Sequence, residues 1–338
     1  MRVAELMSAF AKDTDASWRE ELWKIIMLHQ FHDVLPGSAI QEVYQQAEKD
    51  YEACFAACDA RIAQALKRMA KPGEQEKSLC VINTFGRAVN QVLLVNGIPG
   101  KTVISDGQAA PSQTLADGRC AIYLKDLPAA GYQLYSLIEA EPQGKVSEMT
   151  ADTGLLENDF FQIRIDENGE LTSVYDKRRK RQVLREGECG NALRLYEDRP
   201  ASCDAWNIDI NYVEKEYPLG GDTEIEVAEL GTVCAAVRIT KAFLSSKITQ
   251  VIRIFKDIAR IDFETTVDWQ ESQTLLKAEF PVDIHGDYAE CGVQYGSVRR
   301  STHSDTSWEE ARFEFCAHDY VDISEYDYGV SLFTGEKY

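Results

Sequence analysis

No pair of cysteines in this 338-residue sequence has C-x-x-C spacing, and the total of nine is odd. That pattern argues against a zinc knuckle or a disulfide lattice and for reduced, core-filling thiols. No run approaches the roughly 18 apolar residues that a membrane span requires. Basic residues are scarce as well, with Lys+Arg 36 against Asp+Glu 56 and a formal net charge of -20. Such a surface repels nucleic acid and anionic membranes, because binding either uses Lys and Arg to neutralise phosphates. GxSxG, P-loop, GxGxxG and HExxH signatures are all missing, as are internal repeats and low-complexity segments. The expectation is a cytoplasmic protein, with no nucleic acid and no membrane among its partners. Neutral substrates, cations and other proteins remain.

What is present is enough apolar material for more than one core: 44% hydrophobic and 10% aromatic residues. A chain of this length predicts two or three domains. "SWREELWKIIMLHQ" reads as a helix with Ser17 as N-cap, Glu20 completing a capping box, and Trp18, Leu22, Ile25, Ile26 and Leu28 as its apolar face. After Ser38, apolar residues recur at steps of three and four from Ile40 through Val43, Tyr44, Ala47, Tyr51, Cys54, Phe55, Cys58, Ile62, Ala65 and Leu66 to Met69. This predicts a helix of about eight turns, stopped by Lys71-Pro72-Gly73. "HDVLPGS" then occupies the turn of a helical hairpin. From about Ser78 the pattern alternates, and a small β module follows to about residue 140. After the polar "EPQGKVSEMTADTG", strand signals resume with "FFQIRIDENGELTSVYD", whose Asn168-Gly169 marks a hairpin turn. "CAAVRITKAF", "KITQVIRIFKDIARIDFETTVDW" and others predict a large antiparallel β-sandwich. The fold expected is α+β and multidomain: 1–72 helical, 77–142 small β, and 150–338 large β, cut short at its end.

Chemistry-bearing residues are few. Of five histidines, His29 and His32 stand three apart, which on a continuous helix places them on one face, with Asp33 adjacent. Taken alone, His-Asp at a helix end equally well caps carbonyls or packs. A closed metal site needs about four ligands, and no second His/Cys cluster supplies them. "LYEDRPASCDAWNIDINY" gathers Asp198, Asp204, Trp206 and Asn207, residue types that bridge hydroxyls and stack on sugar faces. A plain loop in which Asp198 pairs with Arg199 accounts for the same composition. "RRSTHSDTSWEEARFEF", with His303 and Asp305 before an Ala-Arg-Phe-Glu-Phe strand, reads as a polar connection.

In order along the chain, "LHQFHDVLPGSAIQEVYQQA", "CVINTFGRAV", "LENDFFQIRIDENGELTSVYDKRRKRQVL", "LYEDRPASCDAWNIDINY" and "DISEYDYGVSLFTGEKY" resemble the middle and β-rich C-terminal portions of the α-mannosidases of glycoside hydrolase family 38, bacterial and vacuolar-type branch. The resemblance implies a helical middle domain, a small β domain and a galactose-mutarotase-like sandwich, preceded in the family by an α/β barrel that this chain lacks. It implies one zinc ion, with His32 as a ligand and Asp33 as a sugar contact. Asp198, Asp204 and Trp206 are further candidates for substrate binding. The catalytic nucleophile belongs to the barrel, where an aspartate attacks C1 and retains the anomeric configuration. No catalytic residue is expected in this chain, and its metal site is incomplete. His29 stands where the family more often has a non-ionisable polar residue, so it is not carried over as a ligand. Asn207 stands where related sequences tend to carry Asp. The partners implied are mannose-containing glycans and the absent barrel, with homo-oligomerisation through further copies of the chain left open. The alternative is a non-catalytic carbohydrate-binding or structural, oligomerising module built on the Trp206 loop.

Overall fold

The computed structural model describes residues 1–69, 78–98, 100–105, 107–140, 148–204, 206–219 and 221–334. The Lys71-Pro72-Gly73 stop, residues 141–147 of the polar stretch and the terminal 335–338 lie outside the described residues. The chain divides into two compact units, Met1–Gly144 with Pro200–Asn207, and Lys145–Arg199 with Ile208–Tyr338.

The first unit begins with three helices, α1 (Arg2–Phe10), α2 (Ser17–Leu28) and α3 (Gln41–Met69). On α3 the buried positions are Ala47, Cys54, Cys58 and Ala65, a stripe at heptad-like spacing that meets Ala4, Trp18 and Leu22. Small residues on the long helix and a large indole opposite let the helices approach closely. Three expectations are corrected. Ser17 is the first helical residue rather than the cap: Ala16 holds the cap position, and Asp15 Oδ1 accepts both the Ser17 N–H (3.1 Å) and its hydroxyl (2.6 Å). Leu28 on α2 and Phe55 on α3 are exposed, because the helix-helix seam uses a narrower stripe than the periodicity offered. Ile40, also exposed, precedes α3.

The small β module of the same unit is antiparallel throughout. One sheet has the order Ser78–Asn83, Gly131–Glu139, Lys101–Ser105, Gln108–Ala109; the other has Val89–Val95, Cys120–Leu127, Ser112–Thr114. Adjacent strands Cys120–Leu127 and Gly131–Glu139 therefore enter different sheets, and their inward residues Ile122, Leu124 and Tyr135 share one core with Val81 and Val103. Buried Asn83 closes the end of this module by donating to the carbonyls of Arg87 (2.8 Å) and Pro128 (3.0 Å).

In the second unit a five-stranded sheet, ordered Arg181–Gln182, Leu171–Asp176, Phe161–Ile165, Leu155–Glu157, Thr150–Asp152, shares a core with a four-stranded sheet, Thr223–Leu230, Cys234–Phe243, Ser246–Phe255, Ile261–Asp268. Alternation in "CAAVRITKAF" sends Ala235, Val237 and Ile239 inward against Ile252 and Ile254 of the neighbouring strand. The Asn168-Gly169 turn forms as the sequence predicts, with Gly169 at φ +74°, where a Cβ would stand 2.7 Å from Ile239 Cγ2. Among the described residues the unit also has two smaller antiparallel sheets: Glu216–Tyr217, Ala192–Glu197, Thr274–Glu279, and Gly296–Ser301, Tyr288–Val293, Tyr320–Ser324, Gly329–Phe333. The Ala-Arg-Phe-Glu-Phe stretch is not a strand. Thr306 and Glu309 form a capping box that starts a short helix, Ser307–Glu310, and residues 311–315 follow it as turn and irregular chain. All nine cysteines are free, five of them buried, and burial pushes the Cys234 thiol up to about 12. Ile252→Ala should cost the second unit about 2–5 kcal/mol, against less than about 0.5 kcal/mol for exposed Val227→Ala, read by urea unfolding of the 338-residue chain.

Candidate functional site

α2 ends at Leu28, and this decides the fate of the two neighbouring histidines. His29 takes the C-cap position, its N–H bonded to Ile25 O (3.2 Å), and the chain then leaves the helix through short turns, Gln30 N–H to Met27 O and Phe31 N–H to Leu28 O. The three-residue spacing therefore does not set both rings on one face. His29 turns inward: it is 5% exposed, its Nε2 lies 2.9 Å from Asp50 Oδ2 on α3, and its ring packs 5.2 Å from that of Tyr51. The Gln46 carboxamide and then His29 hold the Asp50 carboxyl below its ordinary value of 3.8.

His32 turns outward. Its side chain is 70% exposed, with Nε2 3.9 Å from Asp33 Oδ2 and the ring 4.3 Å from Phe31. Beyond it, Val34 N–H and Leu35 N–H both bond to Phe31 O (2.9 and 3.1 Å), and Gly37, at φ +82°, reverses the chain before α3. Tyr44, one of the stripe residues on α3, brings its hydroxyl back to this turn. It accepts the Ala39 N–H at 2.9 Å and shares its own proton between Val34 O (3.3 Å) and Asp33 O (3.4 Å).

The Trp206 loop reaches the same place. Residues Pro200–Asn207 cluster with the first unit although the sequence on both sides belongs to the second. Cys203, at φ +56°, folds the loop so that the Trp206 and Asn207 N–H groups both bond to its carbonyl (2.9 and 3.0 Å). The Trp206 indole N–H then donates to Ser38 Oγ at 2.7 Å, and Ser38 Oγ lies 3.4 Å from Asp33 O. The structure thus brings His32, Asp33 and the loop carrying Asp204 and Trp206 into one unit and leaves Asp198 in the other. There the Asp198 N–H bonds to Gln273 O (2.8 Å). Arg199 pairs with Glu197 (3.4 Å), and Lys215, then Tyr217 and Arg199, draw the Glu197 carboxyl below the usual glutamate range. Ser38, Tyr44 and the His29–Asp50 pair were not singled out by the sequence. Only the hydroxyl on Tyr44, at the start of an otherwise apolar stripe, was a visible signal.

Among the described residues no group of three or more His, Cys, Asp and Glu side chains could hold a metal ion. One outward imidazole beside one carboxylate offers at most two donors, where tetrahedral zinc takes four. That set fits a share of a site and not a closed one.

A profile described as "Glycosyl hydrolases family 38 C-terminal domain" matches residues 156–338, and one described as "Alpha mannosidase middle domain" matches residues 1–69. The chain belongs to glycosyl hydrolase family 38. Similar family members include mouse alpha-mannosidase 2C1, 30% identical over 332 residues covering 96% of this chain and 30% of that protein. Dictyostelium discoideum alpha-mannosidase G is 27% identical over 94% of this chain and 33% of that protein. The chain thus spans about a third of the length of these relatives. An alpha-mannosidase crystal structure from Enterococcus faecalis V583 shares the fold at a TM-score of 0.74 and 16% identity, covering 98% of this chain and 46% of that one. In this family 38 chain His32 lies within the middle-domain match and the Trp206 loop within the C-terminal match.

Unequal stability effects should separate the two histidines. His29→Ala, which empties a buried site, should lower stability by about 1–3 kcal/mol, and His32→Ala should change it by less than about 0.5 kcal/mol. The Asp50 carboxylate is favoured by folding, so its contribution is present above the ordinary aspartate value of 3.8 and disappears as pH falls below it. The gap between wild type and His29→Ala should accordingly narrow in acid unfolding.

Proposed function

We propose that this chain is the middle and C-terminal portion of a zinc-dependent, retaining α-mannosidase that removes terminal α-mannosyl residues from glycans. One observation carries this reading: within the middle-domain match, an imidazole stands outward on an interhelical turn beside a single carboxylate, a donor set that calls for completion from elsewhere. The surroundings support it. Met27, Leu28, Phe31, Leu35 and Ile40 are all exposed around this turn, an apolar rim of the kind that another domain covers. Relatives about three times as long leave room for a barrel contributing the remaining ligands and the nucleophile.

In this arrangement a ring nitrogen of His32 would ligate the metal. When bound, the zinc polarises sugar hydroxyls as a Lewis acid. Asp33 accepts a hydrogen bond from a mannose hydroxyl, and Asp198 and Asp204 act likewise on the glycan. Trp206, 52% exposed, offers its ring face to the apolar side of a sugar while its N–H remains engaged with Ser38. The three segments 1–72, 77–142 and 150–338 serve as middle domain, small β domain and mutarotase-like sandwich. Free thiols throughout suit a reducing, cytoplasmic setting, and further copies of the chain are possible partners.

The test uses the full-length protein. His32→Ala should reduce turnover of a nitrophenyl α-mannoside by more than about 100-fold, beyond what outer contacts of a metal site usually cost, with the circular dichroism spectrum unchanged. The 338-residue chain alone should show neither turnover nor tight zinc binding. Undiminished turnover in the variant would remove the proposal.

A further inference from the structure

His32 and Asp33 sit on a connection that buries almost nothing of its own. Every residue from Gln30 to Asp33 is exposed, and the backbone bonds that shape the turn are local. A ligand on such a segment would sample many orientations, each a loss to coordination. Metal ligands are ordinarily held by a shell of hydrogen bonds one layer out. Something must play that part here.

Three side chains converge on the turn: Ser38 from the connection itself, Tyr44 from the first turn of α3, and Trp206 from 168 residues away. The Trp206 indole donates to Ser38 Oγ at 2.7 Å across 168 residues. Having accepted that proton, the Ser38 hydroxyl has its own to give, and Asp33 O lies 3.4 Å away. Tyr44 accepts from Ala39 N–H and directs its single proton at Val34 O and Asp33 O. Donors and acceptors balance: each hydroxyl receives one proton and gives one. Both hydroxyls address the carbonyl of Asp33, in the Asp33–Val34 peptide one residue beyond His32. On the near side the His29–Asp50 contact anchors the end of α2.

We propose that Trp206, Ser38 and Tyr44 form a latch that positions the His32–Asp33 turn. Beside the ring face offered to a sugar, the Trp206 loop contributes its indole N–H, which ties that loop to the helical turn. Within the latch all three are positioning residues, acting through the peptide they hold. As a claim about metal binding the latch rests on the function proposed above, while as a claim about the turn it stands without it.

The test has two arms. In the metal-free 338-residue chain, amide hydrogen exchange over Val34–Ala39 should run roughly fivefold to tenfold faster in Tyr44→Phe, Trp206→Phe and Ser38→Ala, the effect of losing one ordinary hydrogen bond. Exchange along α3 beyond Asp50 should not change. Ser38→Thr, which keeps the hydroxyl, should stay close to wild type. In the full-length protein, zinc should pass to a chelator about 10–100-fold faster in Trp206→Phe and Ser38→Ala, with Ser38→Thr again restoring the slow rate. Unchanged exchange in the three variants overturns the latch. Faster exchange with unaltered zinc release overturns its positioning role. If His32→Ala itself leaves zinc release unaltered, the failure lies instead with His32 as a ligand, and the exchange arm still decides the latch.

Discussion

An imidazole on a surface turn can serve a metal only if the backbone beneath it is fixed while the ring stays free. Here both halves of that condition trace to the point at which α2 stops. His29 closes the helix and turns into the bundle against Asp50, and three residues later His32 faces solvent. Anchoring one histidine makes the other available. The return of the chain into α3 is held by the Tyr44 hydroxyl and by Ser38, itself bound by Trp206. A half-buried polar pair on one side and a hydroxyl relay on the other thus replace the apolar packing that the connection lacks.

Elsewhere each unit fixes its own core with paired polar groups. In the first unit the narrow α3 stripe fixes the helices, and Asn83 closes the small β module with carbonyl contacts that water would otherwise make. The second unit uses the same device. Asn158 donates to Phe255 O (2.7 Å) and accepts the N–H groups of Phe160 and Phe161, tying two strands' ends together inside the core. Asn191 and Gln250 exchange amide hydrogen bonds at 2.6 and 3.2 Å in a buried pair. Each of these polar groups would be costly if left alone, and each is satisfied, so the cores gain specificity of arrangement as well as hydrophobic stabilisation.

Local pattern made the architecture legible and stopped at contacts between distant segments. Period 3.6 in α3 and period 2 in "CAAVRITKAF" arise from one face of an element meeting a core, and both elements form where the pattern puts them. Ser17 misled because Ser and Asp both cap well, and Asp15, two residues earlier, takes the Ser17 N–H first. The Phe313 and Phe315 alternation suggested a strand, but the stretch follows directly on the capped helix Ser307–Glu310 and takes no strand neighbour. By spacing alone His29 and His32 share a face, because spacing assumes a continuous helix; the helix end at Leu28 separates them. The Trp206–Ser38 bond joins residues 168 apart and leaves no periodic trace in the sequence. Nor could composition tell that Asp198 and Asp204, six apart on one loop, would fall in different units.

The most direct measurement is an anomalous-scattering map of zinc in crystals of the full-length protein. The account predicts a single peak about 2.0–2.1 Å from a ring nitrogen of His32, with every other protein ligand contributed by a domain outside residues 1–338. A zinc peak whose coordination sphere excludes His32 would contradict it.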